Sequence, residues 1–192
     1  MSCNNGISDW LWPVLCVVIV SDSAQFETLR LYGSVPFIPK TTGSHMQTLD
    51  INGRQHRIPP GTSVNINSQA VHTHPDHWSP DPLTWRPDRW LICSGRSSAP
   101  GPESLIVPAK GTYIAWADGP RVCPGRKFAQ VEFVAAIAKL FHRHEVQPVL
   151  LDGESPDQAS ERLVRMIDDS AMTAITLQMR RPKSVALMWR KR

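Results

Sequence analysis

One cysteine stands where a thiolate could be put to use. In the run Trp116-Ala117-Asp118-Gly119-Pro120-Arg121-Val122-Cys123-Pro124-Gly125-Arg126, Cys123 lies between two glycines and two residues after an arginine. Gly119 and Gly125 lack a Cβ, so the backbone on either side of the sulfur can turn tightly and come close to a flat ligand. Pro124 and the residues after it can open a helix, and a thiolate near the free N–H groups of a helix N-terminus is electrostatically favoured. Arg121 carries the side chain best suited to fork onto a carboxylate. Together these residues suit thiolate ligation of a large, flat, acidic group. A small structural cysteine in a glycine-rich turn is the plainer reading of the same spacing.

The segment resembles the haem-binding loop of the cytochrome P450 family, whose pattern is aromatic-x-x-Gly-x-Arg-x-Cys-x-Gly. Trp116, Gly119, Arg121, Cys123 and Gly125 fill it in order, with Trp in place of the more usual Phe, as in the fungal branch. The resemblance implies haem b (iron protoporphyrin IX) as cofactor, with Cys123 as the axial thiolate ligand of its iron. It also implies that Arg121 partners a haem propionate and that Trp116 packs beside the sulfur.

Two other segments take the same comparison further. From Ser23 to Tyr32, Phe26, Leu29 and Tyr32 recur at helical spacing, with Glu27 and Arg30 sharing a face and Gly33 ending the run. Taken alone, such a pair is an ordinary surface ion pair. Placed about 90 residues before Cys123, it is similar to the family's Glu-x-x-Arg helix. Trp85-Arg86-Pro87-Asp88-Arg89-Trp90 resembles the family's aromatic-x-Pro-Glu-Arg-aromatic segment, with Asp88 for Glu. By that resemblance Glu27, Arg30 and Arg89 form a buried network supporting the haem loop; taken alone, Arg86 and Arg89 read as solubilising residues on a loop, and the order of the three motifs argues against that for Arg89 more than for Arg86.

The elements that must position these residues are short. The chain has 192 residues, 41% of them hydrophobic, enough for one core or two small domains. Its net charge of +4 and pI of about 9.1 come largely from Arg180, Arg181, Lys183, Arg190, Lys191 and Arg192. No interleaved aromatic motif accompanies that tail, so a solvated basic end is expected rather than a nucleic-acid site. Cys3, Cys16, Cys93 and Cys123 show neither Cys-x-x-Cys nor a disulfide spacing, which points to a reducing compartment without structural zinc.

Residues 1–22 do not match the rest. Trp10 to Val20 is apolar, is interrupted by Pro13 and is shorter than the roughly 20 residues of a membrane span. A buried strand or signal-like segment is expected there, and residues 1–22 as a whole are expected to be an unrelated stretch, an artefact of the gene model. Val35 to Lys40 is expected to be extended, held by Pro36 and Pro39. Thr48 to Ile51, Asn52-Gly53 and Gln55 to Ile58 form a hairpin signal, and Ser63 to Ala70 alternates as a third strand of one small antiparallel sheet.

His72, His74 and His77 lie within six residues, but no further cysteine or carboxylate completes a familiar metal spacing, and an exposed turn is the expectation. Nine prolines between 59 and 108 imply mostly irregular coil, and Ile92 to Ala109 suggests a mobile insertion. After the cysteine, Phe128, Val131, Val134, Ala135, Ala138 and Phe141 form a helical stripe expected to be core. Asp152 to Gln158 is expected to be a polar turn, with Ile175 to Met179 and Val185 to Met188 as a terminal strand pair.

The expected fold is α+β, mainly α with small antiparallel sheets. The resemblance covers residues 23–192 and implies the C-terminal, proximal haem-side part of the cytochrome P450 fold. It implies a haem-thiolate monooxygenase that inserts one oxygen atom of O2 into a small organic substrate with electrons from an NADPH-dependent reductase. No catalytic residue can be assigned, because nothing before Ser23 matches the family's distal oxygen-activating helix. An inactive fragment that binds haem weakly or acts only as an interaction module is the alternative. Intact relatives are endoplasmic-reticulum membrane proteins; without an anchor sequence the expectation here is a soluble or cytoplasmic-side chain.

Overall fold

A computed structural model describes residues 11–92, 104–173 and 176–192. The first element, α1 (Leu11–Tyr32), extends twelve residues ahead of Ser23, so the stretch expected as strand or signal-like segment is helical from Leu11 onward. Its inward face is unusual. Ile19, Ser23, Glu27 and Arg30, spaced by four, four and three, are all buried, so most of the face turned into the molecule is polar.

Four short strands follow: β1 (Phe37–Thr41), β2 (Gln47–Ile51), β3 (Arg54–Ile58) and β4 (Ser63–Asn67). Asn52 at φ +53° and Gly53 at φ +77° supply the two left-handed residues of a tight hairpin turn between β2 and β3. The expected three-stranded sheet is not formed. β4 instead pairs with β1, from Phe37 opposite Asn67 to Thr41 opposite Ser63, and β2–β3 is a separate ladder. Thr42 decides this by clamping the ends of β1 and β4: its hydroxyl donates to the Pro59 carbonyl at 2.8 Å and accepts from the Thr62 amide at 2.9 Å.

The proline-rich half-hundred is more ordered than its composition implies. Besides β4 it contains α2 (Ser68–His72), α3 (Pro75–Trp78) and a 3-10 turn at Pro87–Trp90. β5 (Leu91–Ile92) pairs with β6 (Ser104–Leu105); residues 93–103 of the expected insertion, Cys93 among them, lie outside the described residues. Trp90 is the centre of the core, 1% exposed, with its ring 5.3 Å from Phe26, 5.0 Å from Tyr113 and 5.4 Å from Trp78. Trp90→Phe is expected to cost about 1–3 kcal/mol, for the lost ring volume and the lost indole hydrogen bond to Glu27, measured by urea unfolding.

Beyond the cysteine, α4 (Arg126–Phe141) leads into β7 (His144–Pro148). The stripe expected to be core is not. No α4 residue is buried, and Phe128 and Val131 are 73% and 70% exposed. The reason is incomplete cover: α4 packs chiefly on α1 and β7, with Gln25 Nε2 donating to the Ala129 carbonyl at 3.2 Å, and Val131, Val134, Ala135 and Ala138 line an open groove rather than a closed core.

The polar turn continues into a helix the strand-and-turn pattern missed, α5 (Pro156–Ser170). Its signal was present. Ser155 and Gln158 form a reciprocal capping box, with Pro156 at the first helical position. Tyr32 Oη donates to Asp168 at 2.7 Å, tying the end of α1 to α5; burial and then the Asp168 carboxylate push the phenol up to about 12.

β8 (Ala171–Thr173) pairs with β9 (Leu177–Met179), whereas β10 (Leu187–Lys191) returns to β7. The expected terminal strand pair is therefore split between two ladders. Phe141 and Trp189, 5.6 Å apart, join the end of α4 to β10. Among the described residues no helix is long and apolar enough to cross a membrane.

Candidate functional site

Glu27, Arg30 and Arg89 meet in space. Arg30 donates from Nε and Nη2 to the two Glu27 oxygens, both at 2.8 Å, and Arg89 Nε reaches Glu27 Oε1 at 3.0 Å. Glu27 and Arg30 are fully buried and the Arg89 side chain is 10% exposed. The Arg86 amide and the Trp90 indole complete the carboxylate's shell at 2.8 and 2.9 Å. Burial pushes the Glu27 carboxyl up, but its hydrogen bonds from Arg30, the Arg86 amide and Trp90, with the Arg30 charge, outweigh that and hold it below its ordinary value. The Arg86 side chain itself faces outward, to Asp88 and Asp81.

Arg30 carries the network onward. Its Nη1 donates to the carbonyls of His72 at 2.7 Å and Pro82 at 2.6 Å, and its guanidinium sits 5.1 Å from the Trp78 ring centre. His72, weighed above as a metal ligand, is 2% exposed, and its Nε2 accepts from the Ile114 amide at 2.8 Å, which places the ring proton on Nδ1. His74 caps α3 and lies 5.4 Å from His77, and no cluster of three metal-binding side chains occurs among the described residues. The chain continues through Ala117 N to Ile114 O at 2.9 Å and Cys123 N to Trp116 O at 2.8 Å. A continuous path thus runs from the buried ion cluster to the cysteine. His72, 42 residues from Ile114, could not be paired with it from spacing.

Because Nε2 must stay an acceptor, His72 is a built-in acid sensitivity. Burial, then the Arg30 charge, lowers its pKa from 6.5 to about 4. A neutral-in-the-fold histidine contributes stability that is complete above pH 6.5 and is lost as pH falls towards 4. Urea unfolding is expected to show that decline in the wild-type chain and a flatter profile over the same window in His72→Phe.

The cysteine loop is closed by main-chain bonds. Asp118 caps a 3-10 turn at Gly119–Arg121 by accepting from the Gly119 amide at 2.7 Å, and Val122 N donates to Gly119 O at 3.2 Å. Gly119 adopts φ +78°, which a glycine takes without strain; Ala117 at φ +60° is held there against a cost of about 1–3 kcal/mol. Cys123 is a free, half-buried thiol, and Arg121 is exposed. A Cβ on Gly125 would lie 3.8 Å from Cys123 Sγ, an ordinary contact, so the glycine keeps one flank of the sulfur clear. The Trp116 Nε1 atom is buried without a hydrogen-bond partner among the described residues. A soft sulfur donor, an available guanidinium and an unspent N–H donor on one loop fit a planar acidic group carrying a thiolate-seeking metal.

Two apolar cavities lie elsewhere. One of about 540 Å3 is lined by Tyr32, Trp85, Val164, Ile167 and Met179, and one of about 670 Å3 lies between α1 and α4, bordered by Arg126 and Lys127 directly after Gly125.

Comparison with known proteins covers most of the chain. The family model described as Cytochrome P450 matches residues 22–172. A cytochrome P450 monooxygenase of Arthrobotrys oligospora is 30% identical over 187 residues, covering 91% of this chain and 32% of that protein. The phomenoic acid biosynthesis cluster cytochrome P450 monooxygenase of Leptosphaeria maculans is 36% identical over 155 residues, covering 71% of this chain and 25% of its own length. The structure of a zebra fish cytochrome P450 with abiraterone superposes with TM-score 0.62 at 21% identity, over 98% of this chain and 37% of that one. The chain spans about a third or less of the two fungal relatives' length.

Proposed function

The chain belongs to the cytochrome P450 family, and from that premise we propose that it supplies the haem-ligating part of a haem-thiolate monooxygenase, with Cys123 as the axial ligand of the iron. One observation carries the reading: the hydrogen-bonded path from Glu27, Arg30 and Arg89 through His72 and Ile114 to the loop that displays Cys123. Haem, when bound, supplies oxygen activation, which thiolate ligation favours by pushing electron density onto the iron.

The protein's own part is placement. Cys123 provides the sulfur, the main-chain closure at Trp116 fixes where it stands, and Gly119 and Gly125 keep the loop tight beside it. Arg121 is free to fork onto a haem carboxylate. The substrate is a small organic molecule, one oxygen atom of O2 is inserted into it, and the electrons come from an NADPH-dependent reductase.

The test is the difference spectrum of the haem-supplemented, reduced chain with and without carbon monoxide. A strongly red-shifted Soret band that disappears in Cys123→Ala supports the assignment. Haem bound with the same spectrum in wild type and variant would overturn it.

A further inference from the structure

We propose that Tyr113 is a positioning residue for the cysteine loop: its ring, laid on the His72 imidazole, fixes the angle at which the chain leaves the core towards Cys123. This role presupposes Cys123 as a haem ligand. Two consecutive residues grip one imidazole. The Tyr113 ring stacks on His72 with centroids 5.2 Å apart and planes inclined by 29°, while the Ile114 amide donates to His72 Nε2 at 2.8 Å. Tyr113 therefore holds the face of the ring and Ile114 its edge. A single hydrogen bond fixes a distance and leaves the chain able to pivot about it; a flat contact one residue earlier removes that pivot. His72 cannot follow a moving loop, because it is 2% exposed and its carbonyl takes Arg30 Nη1 at 2.7 Å.

The ring is itself pinned to the ion-cluster side of the core. It meets Trp90 at 5.0 Å and Trp78 at 6.3 Å, both edge to face, and lies 5.9 Å from Phe26. Tyr113 Oη donates to the Phe26 carbonyl of α1 at 3.3 Å, and burial pushes the phenol up, so it stays a donor at neutral pH. That bond is at the long end of the range, so the flat ring rather than the hydroxyl carries the positioning. From the clasp two main-chain bonds lead on, Ala117 N to Ile114 O at 2.9 Å and Cys123 N to Trp116 O at 2.8 Å. A tilt at Tyr113 is passed to Cys123 through this closed loop rather than absorbed by it.

The experiment compares the haem-supplemented wild-type chain with Tyr113→Phe, Tyr113→Leu and Tyr113→Met, and with Leu163→Ala, a buried α5 residue remote in sequence from the loop. Two quantities are read: the share of the reduced, carbon monoxide-bound Soret absorbance that is red-shifted, and the urea unfolding midpoint. Tyr113→Leu is expected to lower the red-shifted share by about threefold or more, an unshifted band taking its place. Tyr113→Phe, which keeps the flat ring, should stay close to wild type. Leu163→Ala should lower the midpoint without moving the share. Tyr113→Met keeps apolar volume without a flat face and reads the same effect if Tyr113→Leu does not fold. A share unchanged in the Leu and Met variants overturns the positioning role and leaves the ligand assignment standing. A share that falls in Leu163→Ala in step with its midpoint overturns it too, since the band then merely follows stability. Absence of any Cys123-dependent band in the wild-type chain overturns both readings together.

Discussion

Glu27→Ala is expected to unfold the chain or leave it barely folded. The substitution removes the one carboxylate shared by Arg30 and Arg89, stranding a fully buried guanidinium beside another that is nearly so. Breaking a buried ion pair by deleting one partner costs about 3–5 kcal/mol, because the surviving charge has no compensation, against a total stability of about 5–15 kcal/mol for a domain. Arg30 keeps its carbonyl acceptors at His72, Pro82 and Thr84, which limits the damage to its hydrogen bonding but does nothing for its charge. The Arg86 amide and the Trp90 indole lose their acceptor in the same stroke.

Glu27→Gln should fall between the two. It keeps an oxygen for one donor but presents an NH2 group to the others. Urea unfolding monitored by tryptophan fluorescence measures this directly; a Glu27→Ala loss below about 1 kcal/mol would mean the cluster is not the keystone its geometry implies. The pH sign is also fixed. A carboxyl held low in the fold contributes stability above its unfolded pKa that is lost as pH falls, so wild type should weaken in acid, and Glu27→Ala should lack that component.

Cys123→Ala is expected to do the opposite: abolish thiolate-type haem ligation and leave the fold alone. The thiol is half-buried, and the loop around it is closed by main-chain bonds, Cys123 N to Trp116 O and Val122 N to Gly119 O, that an alanine retains. Its cost to stability should stay under about 1 kcal/mol. The red-shifted carbon monoxide band should vanish completely, with far-UV circular dichroism and the unfolding midpoint close to wild type. The pair of variants separates placement from ligation. Glu27→Ala should lose the band because the loop loses its support, Cys123→Ala because the sulfur is gone; a Cys123→Ala chain that also unfolds would contradict the loop's independence from its sulfur.

Local chemistry made parts of this protein legible from its residues. The Asn52-Gly53 hairpin followed from the positive φ angles such a pair tolerates, and the α1 register of Glu27 and Arg30 from helical spacing. The Trp116 to Gly125 segment could be read as a thiolate loop because glycines, arginine and cysteine each have a distinct physical use there. α5 was legible too, through Ser155, Pro156 and Gln158, had the capping box been weighed above the polar composition.

Other features depend on contacts between distant residues, and the sequence carries no local sign of them. β4 was recognisable as a strand, but its choice of β1 over β3 was settled by Thr42 and the ends it joins. β10 likewise went to β7. The stripe expected on α4 is not its covered face: apolar residues surround this helix, the half-buried ones include Phe133 and Ile137, and which side finds a partner is a matter of tertiary arrangement. His72 shows the difference most plainly. As a sequence it was one of three histidines in a turn; its burial against Arg30 and its bond to Ile114 make it a link between the ion cluster and the cysteine loop. By itself the sequence determined the cysteine loop's residue pattern and most of the short elements around it, because both follow from side-chain type and local spacing. Only the tertiary structure decided which of those residues support one another, because that depends on burial and on partners dozens of positions apart.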